Sequence, residues 1–149
     1  AIATYFDALT MPQMAALFYQ QAIEERDHAM MMVRYLLDAD EQVTIPALEA
    51  PRSDFKNVIE RVAAALEHEK RVTDQINELT RIARENNDYA SDQFMQWFIK
   101  EQVEEVAKMS DLLAVVTRSK DDYERIEDWV AREDKSEGTD PTAPTVAGA

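Results

Sequence analysis

FYQQAIEERDHAMMMVRYLLD, residues 18–38, decides the fold class. With Met14 upstream, its apolar residues Phe18, Ala22, Ala29, Met32 and Leu36 recur three and four apart, the spacing of one helix face. Inside that stripe sit Glu25 and His28, themselves three apart and so on one face. A carboxylate and an imidazole halfway along a core-facing stripe are out of place in plain packing.

Working outward, Thr10-Met11-Pro12-Gln13 supplies a capping hydroxyl, a proline for the first turn and a Gln three residues after the cap, which predicts a helix from there to about Ala39. Ahead of it, Ala1 to Asp7 reads as the last turns of an earlier helix, since Ile2, Tyr5 and Phe6 have no cap or turn before them. Downstream, Asp40 to Ser53 carries Pro46 and Pro51 and no helical period. At about 3.3 Å per residue it spans roughly 45 Å, matching the roughly 40 Å of the preceding helix. Such a crossover returns the chain along a whole bundle and makes its flanking helices parallel.

Ser53 or Asp54 is expected to cap a third helix reaching about Asn86, striped by Phe55, Ile59, Val62, Leu66, Thr73, Ile76, Leu79 and Ala83. Asn86-Asn87-Asp88 is a tight turn with its own cap. A fourth helix follows to about Thr117 through Phe94, Phe98, Met109, Leu112 and Val116. Asp121-x-x-Glu124 then opens a short fifth helix through Tyr123, Ile126 and Val130. Residues 1–133 thus form one helical bundle, and the Gly, Thr, Pro and Ala of 134–149 predict a disordered tail. Only two glycines in 149 residues argue against a turn-rich β protein, so the fold class is all-α.

The third and fourth stripes are also interrupted at their midpoints, by Glu69 and by Gln102 with Glu105. Taken singly, each motif has an ordinary reading: Glu-x-x-His is common on helices, Glu101, Glu104 and Glu105 suit a solvated face, and Glu69 stands between His68 and Lys70. His68 is expected at the surface, and Met30-Met31-Met32 is expected to pack. Their coincidence is the informative fact, because helices of similar length packed side by side bring Glu25, His28, Glu69, Gln102 and Glu105 to one level. Buried carboxylates that converge repel each other and lose hydration, and a divalent cation relieves both penalties. Oxygen-rich ligands, one imidazole and no sulfur suit iron or manganese, and glutamates able to bridge favour two metals. Glu101 is a candidate acceptor for the second ring nitrogen of His28.

Thirty acids against 16 bases give a formal charge of -14, which opposes binding to nucleic acid or an anionic membrane and suits either an ordinary acidic surface or a field that draws cations inward, two readings that charge alone does not separate. With no cysteine there is no disulfide or thiolate ligation, which fits a cytoplasmic setting. No apolar run is long enough for a membrane span.

The three segments FYQQAIEERDHAMMMVRYLLD, EHEKRVTDQI (67–76) and QFMQWFIKEQVEEVAKM (93–109) resemble the second, third and fourth helices of the non-haem bacterial ferritins, in order and at matching separations, within a resemblance that runs from Ala1 to about Glu133. That resemblance implies a ferritin-like four-helix bundle with one long crossover and a short fifth helix. It also implies an iron-storage subunit that binds Fe(II), oxidises it with dioxygen at a dinuclear iron centre, and deposits ferric mineral inside a cage of 24 subunits. Carried over, Glu25 and His28 hold one iron, Glu69 lies near the second, and Glu25 or a first-helix glutamate bridges. Gln102 sits beside the pair and Glu105 holds a further iron. Haem is not expected, because haem-binding relatives repeat Glu-x-x-His in the fourth helix and place a methionine beside the first motif, where this chain has Gln102-x-x-Glu105 and Arg26. The family's first-helix glutamate has no counterpart here, so the chain is read either as part of a longer protein or as a truncated product. Three other readings stay open: a structural cage subunit without ferroxidase activity, another di-iron carboxylate oxidase or peroxidase, and a plain helical interaction bundle.

Overall fold

A computed structural model describes residues 1–133 and 140–148, all of whose regular structure is helical. In chain order the helices are α1 (Ile2–Ala8), α2 (Pro12–Asp38), α3 (Val58–Glu85), α4 (Tyr89–Ser119) and α5 (Tyr123–Glu133). The chain divides into two compact units, one of Ala1–Asp54 with Tyr123–Ala149, the other Phe55–Asp122.

A chain with so few glycines must end its helices by other means. Three of the four ends that precede a turn use the same device, with Thr10, Asp40 and Asn87 in the left-handed region at φ 57, 59 and 56. In each case the next residue's N–H reaches back to a carbonyl five residues earlier: Met11 to Phe6 at 3.0 Å, Glu41 to Leu36 at 2.9 Å and Asp88 to Ala83 at 2.8 Å. This closure satisfies carbonyls that a helix end otherwise leaves open. Asn and Asp accept the conformation readily, whereas threonine is β-branched and adopts it against its preference.

In the first unit α2 packs against α1 and α5. Phe6 stacks on Phe18 at 5.5 Å, and Met11, Met14, Ile126 and Val130 are fully buried. The start of α2 differs from expectation. Met11, not Thr10, is its N-cap and has no capping side-chain bond, although Pro12 does open the first turn. The open donors are met by α5: Glu127 accepts from the N–H of Gln13 at 2.8 Å and of Met14 at 2.9 Å, a tertiary cap that also places negative charge at a helix N-terminus. The buried line of α2 runs Met14, Phe18, Gln21 and Met31, while Ala22, Ala29 and Leu36 are exposed, so the stripe is rotated from the expected one toward the side carrying Glu25 and His28. Of the tail 134–149, residues 134–139 and 149 lie outside the described residues; within 140–148, Asp140 caps a turn and the Ala147 N–H bonds the Met30 carbonyl at 3.2 Å.

The second unit is a helical hairpin. Helix α3 begins later than expected, because its capping side chain is Asn57, whose Oδ1 accepts from the Glu60 N–H at 2.9 Å. Asp54 is instead paired with Arg52 at 3.0 Å, and Phe55 lies outside the helix beneath the Arg61 guanidinium. Asp88 caps α4 as expected, accepting from the Ser91 N–H at 3.0 Å and its hydroxyl at 2.6 Å. The buried line of α4 runs Met95, Phe98, Gln102, Glu105, Met109, Leu112 and Val116, alternating steps of three and four throughout. That of α3 runs Val62, Leu66, Glu69, Ile76, Thr80 and Ala83, with half-buried Thr73 completing the same alternation. Two such seams joined by a short turn pack antiparallel.

Candidate metal centre

The polar interruptions of α3 and α4 lie on the seam itself, not beside it. Glu69 is 3% exposed, Gln102 4% and Glu105 5%. The seam explains why: each falls at a step of three or four from an apolar neighbour that must be buried. Thr73, one turn after Glu69, places its hydroxyl 2.9 Å from the Glu69 carbonyl oxygen and 2.9 Å from the Gln102 carboxamide. Nearer the turn, Arg84 bonds Asp92 at 3.0 Å and fixes the same register. Because α3 and α4 are antiparallel and Thr73 meets Gln102, the turn before Thr73, holding Glu69, is level with the turn after Gln102, holding Glu105. The hairpin therefore carries two buried carboxylates and one carboxamide at a single level.

Ionised carboxylates in such a place are costly unless something positive or a donor accompanies them. His68 is half exposed, as expected, yet its Nδ1 is 3.9 Å from Glu69 Oε1. Glu69 Oε2 and Glu105 Oε2 are buried. Oxygen atoms of that kind suit a hard or borderline divalent cation. Among the described residues, no three His, Cys, Asp or Glu side chains form a group that could hold a metal ion.

The first unit holds a pair of its own. Across one turn of α2, His28 Nδ1 lies 3.7 Å from Glu25 Oε2, with the imidazole the more buried of the two. Gln21, buried one turn earlier, donates from Nε2 to Glu25 Oε1 at 3.4 Å. The five expected residues are thus placed as two groups, Glu25 with His28 in one unit and Glu69, Gln102 and Glu105 in the other. Glu101, half-buried beside Gln102 on α4, belongs to the second. Sequence reasoning passed over Gln21, which the four-residue step to Glu25 could have flagged, and treated Thr73 as filler in an apolar stripe.

A family profile described as a ferritin-like domain matches residues 1–119. Ferritin BfrB of Mycolicibacterium smegmatis is 49% identical over 148 residues, covering 99% of this chain and 82% of that protein. The bacterial non-heme ferritin of Staphylococcus aureus is 37% identical over 122 residues, covering 82% of this chain and 74% of its own length. Among solved structures, the open pore ferritin of Archaeoglobus fulgidus superposes with a TM-score of 0.83 at 29% identity, covering 88% of this chain and 81% of that one. The all-α build with a short fifth helix is accordingly that of the ferritin-like four-helix bundle. A profile match across most of the chain and close relatives along nearly all of it mean that this chain belongs to the ferritin family.

Proposed function

We propose that this chain is an iron-storage subunit that takes Fe(II) as its substrate, oxidises it with dioxygen at a dinuclear centre, and passes Fe(III) to a mineral held within a cage of 24 copies. The observation that carries the reading is the burial of Glu69, Gln102 and Glu105 at one level of the α3–α4 hairpin. Two carboxylates and a carboxamide held there favour a divalent ion over an empty site, and the Glu25–His28 pair adds the imidazole and carboxylate expected of one iron position. When bound, each iron gives one electron to dioxygen; the protein's part is to supply oxygen and nitrogen ligands, hold their geometry and limit water. Glu25 and His28 hold one iron, Glu69 lies near the second, Gln102 lies beside the pair and Glu105 serves a further ion. Haem has no part in the scheme. A cytoplasmic site of action goes with it, and no helix among the described residues is long and apolar enough to cross a membrane.

The test is anaerobic Fe(II) loading of the purified protein followed by exposure to oxygen, with absorbance and particle size recorded together. Rapid oxidation in a large particle, abolished by His28→Ala and by Glu69→Ala, is the expected result. A large particle that takes up iron but oxidises it no faster than buffer would support the structural-subunit reading instead. A small species with peroxide- or substrate-dependent turnover would indicate a different di-iron carboxylate enzyme.

A further inference from the structure

The contact between Thr73 and Gln102 contains a donor conflict whose resolution bears on the metal centre, and the inference rests on the reading above. Thr73 Oγ1 is 2.9 Å from the Glu69 main-chain carbonyl oxygen and 2.9 Å from Gln102 Oε1, so both neighbours are acceptors. A hydroxyl has a single proton and cannot donate to both, yet it can accept as well as donate. Oxygen and nitrogen of a carboxamide exchange places on a half-turn about its last torsion, and hydrogen-bond chemistry decides which way it lies. A threonine within a helix commonly donates to the carbonyl one turn before it, here that of Glu69. With the proton committed there, the Thr73 oxygen can only accept, and the atom facing it has to be Nε2.

We infer that Thr73 is a positioning residue of the metal centre: its hydroxyl donates to the Glu69 carbonyl, accepts from Gln102 Nε2, and so turns Gln102 Oε1 away to act as a neutral oxygen ligand. The opposite orientation would present an amide N–H₂, which cannot ligate a cation, so one hydroxyl sets whether Gln102 is a ligand. The same hydroxyl ties the backbone of α3 at Glu69 to the side chain on α4, linking the two seam positions that carry the buried donors. Groups that orient ligands in this manner are worth a large factor in metal affinity.

The test uses Co(II), which oxygen does not oxidise under these conditions, titrated into the assembled protein and followed by its visible absorption. Thr73→Val preserves shape and removes the hydroxyl, and Thr73→Ser restores it. Expected are Co(II) binding weakened by about tenfold or more in Thr73→Val, recovery in Thr73→Ser, and no added loss when Thr73→Val is combined with Gln102→Ala. Neutron diffraction from the metal-free protein in D2O should place the amide deuterons on the Gln102 atom that faces Thr73. Unchanged affinity in Thr73→Val, an equal loss with and without Gln102, or deuterons on the atom facing away would each overturn the inference. A parent protein that takes up no Co(II) at all would overturn the metal-centre reading itself, and the positioning role with it.

Discussion

Glu69 is a carboxylate whose burial only makes sense if its charge is answered. Replacing it with the isosteric, neutral glutamine separates folding from metal binding. Without metal, Glu69→Gln should be at least as stable as the parent, because a buried charge has been removed without creating a cavity. With Co(II) at about a hundredfold excess over its dissociation constant, a binding-competent fold gains about 2.7 kcal/mol, and the variant should lose most of that gain. Thermal unfolding with and without Co(II) measures both arms; a variant keeping the full gain would remove Glu69 from the ligand set. At the turn of the hairpin, Asp88 shows how an exposed carboxylate is tuned. The Ser91 hydroxyl, and after it the Ser91 N–H, hold the carboxyl below its ordinary value of 3.8. A depressed value favours the folded state above the unfolded pKa, and that contribution fades as pH falls from there through the lower folded value. Asp88→Asn, which keeps an acceptor but does not titrate, should therefore be less stable than the parent at pH 7, where the ionised carboxylate contributes in full, and converge on it as pH falls, which flattens the acid limb of the stability curve. Parallel acid limbs for the two proteins would mean that the cap does not contribute to acid sensitivity.

Among the helices, α2 depends on a partner distant in sequence for its beginning. Met11 offers no capping side chain, and the first-turn donors of Gln13 and Met14 are both taken by one carboxylate, Glu127. Glu127→Ala leaves those two N–H groups to water and removes a negative charge from a helix N-terminus, a loss of about 1 to 2 kcal/mol in urea unfolding. Glu127→Gln, retaining one acceptor, should fall between. A loss below a few tenths of a kcal/mol would mean that α5 holds the end of α2 through the apolar contacts of Ile126 and Val130 alone. Helix α3, in contrast, is capped locally by Asn57, and α4 by Asp88, so neither start requires a distant residue.

For the whole molecule the dominant feature is charge. A net -14 sets up a field that concentrates cations near the surface, and this long-range effect is sensitive to salt. The screening length shrinks from about 30 Å at 0.01 M ionic strength to about 8 Å at 0.15 M. The initial rate of Fe(II) uptake should fall several-fold over that range in stopped-flow measurements, with the final amount bound less affected, because the ligation proposed at Glu69 and His28 would act at short range. An uptake rate indifferent to salt would reduce the acidic excess to ordinary surface solvation.

What the sequence by itself determined is everything governed by spacing along one helix or by chemistry within a turn. The five helices, the Asn86–Asp88 turn, the Asp88 cap, and the interruption of the seams at Glu69, Gln102 and Glu105 were all legible, since steps of three and four fix which residues share a face. Tertiary structure decided what depends on partners far along the chain. Glu127 stands 114 positions from Gln13 and Thr73 stands 29 from Gln102, and no local pattern reports either pairing. The rotated stripe of α2 belongs to the same class: Ala22 and Ala29 satisfy the helical period as well as Gln21 does, and only the packing against α1 and α5 selects between faces one residue apart. Periodicity names a helix face to within a residue, and packing chooses among the neighbours because burial energy is a property of what lies opposite.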